Sequence, residues 1–499
     1  MYKLPGMNRH YQTHDSDLVC FSHSFEKVTP WLRFAHKAMF LYNQRMKSIS
    51  VRHFSALIGL FFIVSACAAP LVAESAPVRT ATLTIAPAET VLISLTPRAT
   101  TTPAPTASPS PQPTRIPDNL PLSMVSYRLP LTIRHITEDH AELLFELSEP
   151  AAGTIFLYTS QSSTPTHRFE LDAKHQRHQI LMDALQPGTT YRVVVVLEEN
   201  GQLTRPAFQS RAWAPVALTT LPEQPAVIRV GVLGDASFGD DATTALIDLM
   251  ARSDLDFVLN LGDVVDETTF GIDPFESYAQ KFYTPFEPLL QSMPVYTVPG
   301  NHDYDPDLTY LEFPFYAYAF PPFSADDLAE EDGSLAGQFA ALPMGDIQFL
   351  LLDAMAIIGQ PGREAQQAWL EERLSDSNYT ASIPIFHVSP FSSSVVHPED
   401  SSFTRTVWVP QFEQSGTVPL VLSGHFHHYE RLLVNDITYL VSGGGSSILY
   451  ASGPTLPESQ VFARQTHFVL LEIRPDGIEL SAIALDGSVI DTDSIPLGN

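Results

Sequence analysis

Several short stretches end an apolar run in a side chain able to bind a metal ion. They are Asp235 in "LGDAS", Asp263 in "LGDVVDE", Asn301, His302 and Asp303 in "PGNHD", His387 in "PIFHVSP", and His425 and His427 in "LSGHFHHYER". Taken singly, each has an ordinary explanation. A strand-end aspartate commonly caps a turn or helix, and a single histidine commonly sits paired in a core. Repeated at five successive strand ends, they point to chemistry. Hard oxygen donors mixed with imidazoles suit first-row divalent or trivalent cations, and there are too many for one tetrahedral ion. A two-metal site is the economical expectation.

The elements that must position these residues are legible around them. "AVIRVGVLGD", "DFVLNLGD" and "MPVYTVPGNHD" read as buried strands, "DATTALIDLMARS" has a helical period, and "FESYAQKFYTPFEPLL" reads as a helix broken at Pro285. Apolar strands alternating with helices predict an α/β arrangement whose ligands gather outside the carboxyl ends of the strands.

The series "GD…GD…GNHD…H…GHFH" resembles the calcineurin-like metallophosphoesterase superfamily, and "SGHFHHYER" is similar to its purple acid phosphatase-like branch. The helix "QQAWLEERL" with Trp369 also resembles a segment of these enzymes. The resemblance implies a metallophosphoesterase β-sandwich flanked by helices, of αββα type, over residues 226–495. It further implies two metal ions (iron, manganese or zinc). Asp263 would bridge them, Asp235 and His427 would hold the first, and Asn301, His387 and His425 the second. His302 would be the general acid and His397 a substrate-contacting histidine.

Two departures from that family matter. Ser237 stands where the wider superfamily carries histidine, and Asp266 stands where the purple branch carries a tyrosine ligand. Asp266 is therefore either loop solvation or a replacement carboxylate ligand, and the preference of hard cations for carboxylate oxygen favours the ligand.

The implied activity is that of a dinuclear metal-dependent phosphoesterase acting on phosphomonoesters. Two readings compete with it. A phosphodiesterase or nucleotide hydrolase on the same site would use the aromatics of the 304–343 loop for stacking, and a non-catalytic surface-binding protein would carry a decayed site.

The remaining 225 residues or so bound the setting. A net charge of −28 over 499 residues argues against a nucleic-acid groove, which needs a basic stripe, and leaves local cations to attract an anionic ester. With only Cys20 and Cys67 there is no disulfide framework. Residues 46–67 read as a signal peptide: Lys47 and Arg52 precede the apolar run "FSALIGLFFIVSA", and "VSAC" resembles a bacterial lipoprotein processing box that would lipidate Cys67. That reading predicts an extracytoplasmic protein with a lipid membrane anchor, and makes residues 1–45 an upstream start artefact. Residues 68–118, rich in Pro, Thr and Ser, read as an extended spacer. Residues 119–221 read as an all-β antiparallel sandwich of fibronectin type III-like kind, with Tyr191 after the Pro187-Gly188 turn as its tyrosine corner.

Overall fold

Short runs of alternating or continuous apolar residues dominate the chain from residue 120 onward, and they fold as strands. The computed structural model describes residues 116–117, 119–266, 273–304, 314–321, 339–355 and 363–497. Residues 46–67, read above as a signal peptide ending at Cys67, and nearly all of the stretch read as a spacer lie outside the described residues.

Nine strands come first: β1 (Leu122–Ile136), β2 (Ala141–Leu147), β3 (Gly153–Thr159), β4 (His167–Glu170), β5 (Arg177–Met182), β6 (Thr190–Glu199), β7 (Gln202–Phe208), β8 (Arg211–Ala212) and β9 (Val216–Thr219). Their order is β4-β3-β6-β7-β1-β2-β5, with β8 on β7 and β9 on β6. The expectation of a wholly antiparallel unit fails at one place. The long strand β1 pairs parallel to β7 through Leu122 and Ser126, then passes a bulge and pairs antiparallel to β2 from Tyr127 onward. A bulged strand that changes partners midway is how one strand serves two layers. The "RVVVVL" run in β6 does not alternate because both faces are covered. Val193 and Val195 point into the main core, while Val194 and Val196 meet Phe156, Tyr158 and Ile116 on the other side. Tyr191 is buried, and its hydroxyl accepts from the Gln186 amide at 2.8 Å, tying the turn to the strand.

The second region begins with β10 (Ile228–Leu233), α1 (Asp241–Met250), β11 (Phe257–Asn260), α2 (Pro274–Tyr278), α3 (Glu287–Leu290), β12 (Val295–Thr297) and α4 (Pro314–Ala319). Between α2 and α3 a single π turn, Ala279–Tyr283, closes with Thr284 N–H donating to the Ala279 carbonyl at 3.0 Å. This break falls at Pro285, as a missing amide requires. There follow β13 (Ala340–Met344), β14 (Ile347–Leu351), α5 (Arg363–Leu374), β15 (Ala381–Val388), α6 (Ser401–Val407), α7 (Val409–Ser415), β16 (Leu420–Gly424), β17 (Tyr429–Val434) and β18 (Ile437–Ser442). The last four strands are β19 (Ser459–Ala463), β20 (His467–Arg474), β21 (Gly477–Ala484) and β22 (Val489–Pro496).

These strands make two mixed sheets, β12-β11-β10-β20-β21-β22 and β13-β14-β15-β16-β18-β17-β19. The period of two decides what each residue covers. Val230 and Val232 of β10, Ile383 and Ile385 of β15, and Leu420 and Leu422 of β16 fill one core between the sheets. Phe386 and Val388 of β15 and Val421 of β16 point the other way, into the core that also takes Phe412 of α7. Two sheets face to face with helices outside is the expected arrangement. Strands β10, β11 and β12 run parallel, as do β14, β15, β16 and β18, so Asp235, Asp263, Asn301, His387 and His425 sit at or near carboxyl ends.

Among the described residues after "GNHD", the aromatics of α4 and Phe320 after it pack on those of α2 and the π turn. Phe315, Tyr316 and Phe320 cluster with Phe275, Tyr278 and Phe282, and the Arg177 guanidinium of β5 lies 4.1 Å over the Tyr318 ring. Arg134 of β1 donates to the Pro321 carbonyl, and Tyr318 donates to Glu146 of β2. Of the described aromatics in the 304–343 loop, Tyr318 thus joins the two regions, while Tyr304 bonds to Asp353 and Phe339 packs on Trp369.

Candidate metal centre

Three consecutive parallel strands deliver Asp235, Asp263 and Asn301 to one edge, and the facing sheet delivers His387 and His425 to the same edge. Asp235, Asp263 and His387 each offer a ligand atom within 4.8 Å of the others, and all three side chains are buried. His387 Nε2 lies 3.3 Å from Asp263 Oδ1 and 3.9 Å from Asp235 Oδ1. His427 Nε2 lies 3.4 Å from Asp235 Oδ1. Asn301 Oδ1 stands 3.1 Å from His387 Nε2 and 3.0 Å from His425 Nδ1.

The backbone at this edge is strained. Asp235 (φ 60°), Asp263 (φ 50°), His397 (φ 53°) and His425 (φ 69°) adopt the left-handed conformation, unusual for residues with a Cβ. Close approach adds a second constraint. A Cβ on Gly300 would lie 2.2 Å from Asp263 Oδ1, and one on Gly443 would lie 2.7 Å from Asp235 Oδ2, so glycine is required at both places.

The histidine tautomers follow from their outer partners. His387 Nδ1 meets the Leu261 carbonyl at 2.8 Å, and His427 Nδ1 meets the Ile448 carbonyl at 2.9 Å. A carbonyl only accepts, so both rings carry their proton on Nδ1 and aim the Nε2 lone pair inward. His425 is turned the other way, with Nε2 donating to Asp400 Oδ2 at 2.9 Å and Nδ1 facing Asn301 and His387. Three imidazole lone pairs, an amide oxygen and two buried carboxylates therefore converge. Among the described residues the ion-pair partners of Asp235 and Asp263 are histidines, with neither lysine nor arginine. Asp235 Oδ1 is buried without a hydrogen bond. Buried charge and converging lone pairs of this kind are costly until a cation is shared among them, so the donor set fits metal.

A proton competes with a cation for the His387 Nε2 lone pair, drawn by the same carboxylates. Burial opposes a charged imidazole at His387, yet the Asp263 carboxylate outweighs it and raises the group to about 10. Burial likewise opposes ionisation of Asp263, and the His387 charge overrides it, holding that carboxyl well below its usual range. Burial, reinforced by the neighbouring charge of Asp263, pushes Asp303 up. Asp303 accepts from the amides of Gly300 at 2.8 Å and Val264 at 3.1 Å, and so ties the "GNHD" loop to the "GDVVD" loop.

His302 lies beside the cluster with its side chain 38% exposed, its amide donating to Asp263 Oδ1 at 2.9 Å. Asp266 is not brought among the clustered donors. Its Oδ1 lies 3.3 Å from His302 Nδ1, its Oδ2 lies 4.0 Å from Lys281 Nζ, and its amide donates to the Ser237 carbonyl at 3.1 Å. The physical reason is the turn after β11, which directs Asp266 toward the "GNHD" loop while Asp263 faces the facing sheet. His397 sits at the rim, its ring centroid 6.0 Å from that of His425 and its Nδ1 3.9 Å from Asp400 Oδ2.

Sequence reasoning missed Asp400, Lys281 and Tyr450. Asp400 lies three residues after His397 where α6 begins, a position that reads as a helix cap, and its oxygen goes to His425 instead. Tyr450 stacks on His427 with centroids 4.1 Å apart and planes 5° off parallel.

The comparisons with known proteins follow this geometry. The family described as Calcineurin-like phosphoesterase matches residues 228–429. Purple acid phosphatase 23 of Arabidopsis thaliana is 24% identical over 282 residues, which cover 51% of this chain and 57% of that protein. The chain thus spans little more than half the length of that relative. Purple acid phosphatase PPD1 from yellow lupin (Lupinus luteus) seeds matches with TM-score 0.58 and 16% identity over 73% of this chain and 74% of its own. The structure of PhoD matches with TM-score 0.52 and 13% identity over 74% of this chain and 89% of its own. At such identities the structural likeness is one of fold. Over residues 228–429, then, the chain carries a calcineurin-like metallophosphoesterase domain.

Proposed function

We propose that this protein is a dinuclear metal-dependent phosphoesterase acting chiefly on phosphomonoesters. The observation that carries the reading is the convergence of three imidazole lone pairs and the Asn301 oxygen on two buried carboxylates whose described ion-pair partners are all histidines. Asp235 and His427 would hold one ion, Asn301, His387 and His425 the other, with Asp263 between them. Bound there, a pair of iron, manganese or zinc ions supplies Lewis acidity toward the phosphoryl oxygens and activates water for in-line attack.

The chain's own residues do the rest. His302 stands at the open side of Asp263 and delivers a proton to the departing oxygen. Asp266 orients His302 from 3.3 Å, and so serves the acid in place of a metal. His397, exposed at the rim, is placed to meet the ester. Asp400 positions His425 through its outer nitrogen.

The test compares p-nitrophenyl phosphate with bis-p-nitrophenyl phosphate on metal-reconstituted protein, alongside His302→Ala and Asp263→Asn. Faster monoester turnover, lost by roughly 10²–10⁴-fold in His302→Ala, is expected. Preferred diester turnover would move the reading to a phosphodiesterase, and wild-type rates in both variants would remove the mechanism.

The wider setting belongs to the same proposal. Its support is the sequence: a lipoprotein-like signal ending at Cys67, a Pro-rich spacer over 68–118, and a fibronectin type III-like unit over 119–221 would hold the catalytic region outside the cytoplasm and clear of a membrane.

A further inference from the structure

The segment after β18, "GGGSSILY", has no assigned part in the reading above, yet it holds one of the candidate ligands from three directions. The Ile448 carbonyl accepts from His427 Nδ1 at 2.9 Å, the Tyr450 amide donates to the His427 carbonyl at 2.8 Å, and the Tyr450 ring lies flat on the imidazole at 4.1 Å. The segment is itself anchored to the strand end that carries Asp235. Asp240 Oδ2 accepts from the Ser447 amide at 3.0 Å and its hydroxyl at 2.6 Å, and the Gly445 amide donates to the Gly234 carbonyl at 2.9 Å.

We infer that Tyr450 is a positioning residue for metal retention, fixing His427 in the half of the site that lacks the family's tyrosine ligand. The inference rests on the phosphoesterase reading only in that His427 takes a metal. Asp266 occupies the tyrosine position and is turned to His302, so the donors grouped on that side are Asp235, Asp263 and His427. With few donors, the orientation of each weighs more. The hydrogen bond to Ile448 fixes the tautomer, and the phenol blocks rotation of the ring. Ligation also withdraws electrons from the imidazole, which strengthens its attraction to the electron-rich phenol face, so the stack favours the loaded state over the empty one.

The experiment measures metal per chain by elemental analysis, and affinity by chelator competition with Mn²⁺ or Zn²⁺, in the full chain and in Tyr450→Ala, Tyr450→Phe and Tyr450→Leu. Tyr450→Ala should keep one ion and lose the other, with affinity for the lost ion down about 10–100-fold, while Tyr450→Phe keeps both. Tyr450→Leu retains bulk without a π face and should behave as Tyr450→Ala, and it carries the test should the alanine variant fail to fold. Two tightly held ions in both the alanine and leucine variants would overturn the inference. So would equal loss in Tyr450→Phe, which would make the hydroxyl the determinant, or loss of both ions together. A wild-type chain that holds no metal would overturn the phosphoesterase reading itself.

Discussion

Asp266 shows how one residue's chemistry can be readable while its partner is not. A carboxylate three positions after a bridging aspartate is chemically fit to bind a cation, and only the turn after β11 sends it to His302 and Lys281 instead. Asp266→Ala should accordingly retain its full metal content while kcat falls about 10–100-fold, because the acid loses its orienting partner. Metal per chain decides the matter: a fall from two to one would restore Asp266 as a ligand. The left-handed φ at Asp235, Asp263, His397 and His425 is a second residue-scale signature, and strain of this kind costs on the order of 1–3 kcal/mol per residue. Folding tolerates it where neighbouring bonds hold the backbone, as the Asp235 carboxylate holds the His425 amide at 2.9 Å.

At the scale of elements, strand β17 explains the "YER" that follows the last histidines. Alternation splits the three residues between two faces. Tyr429 and Arg431 both reach Asp491 of β22 at 2.7 Å, joining the two sheets. Glu430 points the other way and accepts from the Ser393 amide at 2.8 Å and the Ser393 hydroxyl at 2.6 Å, fastening the loop that carries His397 and Asp400. Glu430→Gln keeps the shape but weakens the charged acceptor. It should raise KM several-fold with little change in metal content, measured by steady-state kinetics and elemental analysis. An unchanged KM would mean that the loop is held by its other contacts.

Across the whole molecule, arginines hold both the joint between sheets and the joint between regions, and the first is testable through pH. Burial would raise the Asp491 carboxyl, but its bonds to Arg431 and Tyr429 win and lower it. A depressed folded value adds stability above the ordinary carboxylate range, and that stability is lost as pH falls through the folded value. Asp491→Asn should therefore melt a few degrees below wild type at pH 7, with the gap closing toward pH 3, as followed by thermal unfolding in a pH series. A gap that stays constant with pH would assign the effect to packing. The region-to-region joint rests on Arg128, Arg134 and Arg177, with Arg128 3.7 Å over Phe275, so the first nine strands are bonded directly to the segments that follow "GNHD".

The sequence by itself determined the strands, the donors at their carboxyl ends and the break at Pro285, because periodicity and residue chemistry are local properties. The all-β character of residues 119–221 was legible for the same reason. The double role of β1 was not, since a bulge that changes partners leaves no local mark. Nor could the sequence say that Asp266 meets His302, that Asp400 and Tyr450 hold two of the histidines, or that Tyr318 bonds to Glu146 of β2. Those pairings depend on register between strands far apart in the chain. The His425 amide reaches Asp235 Oδ2 across 190 residues, and only the stacking of two sheets brings such loops within hydrogen-bond distance.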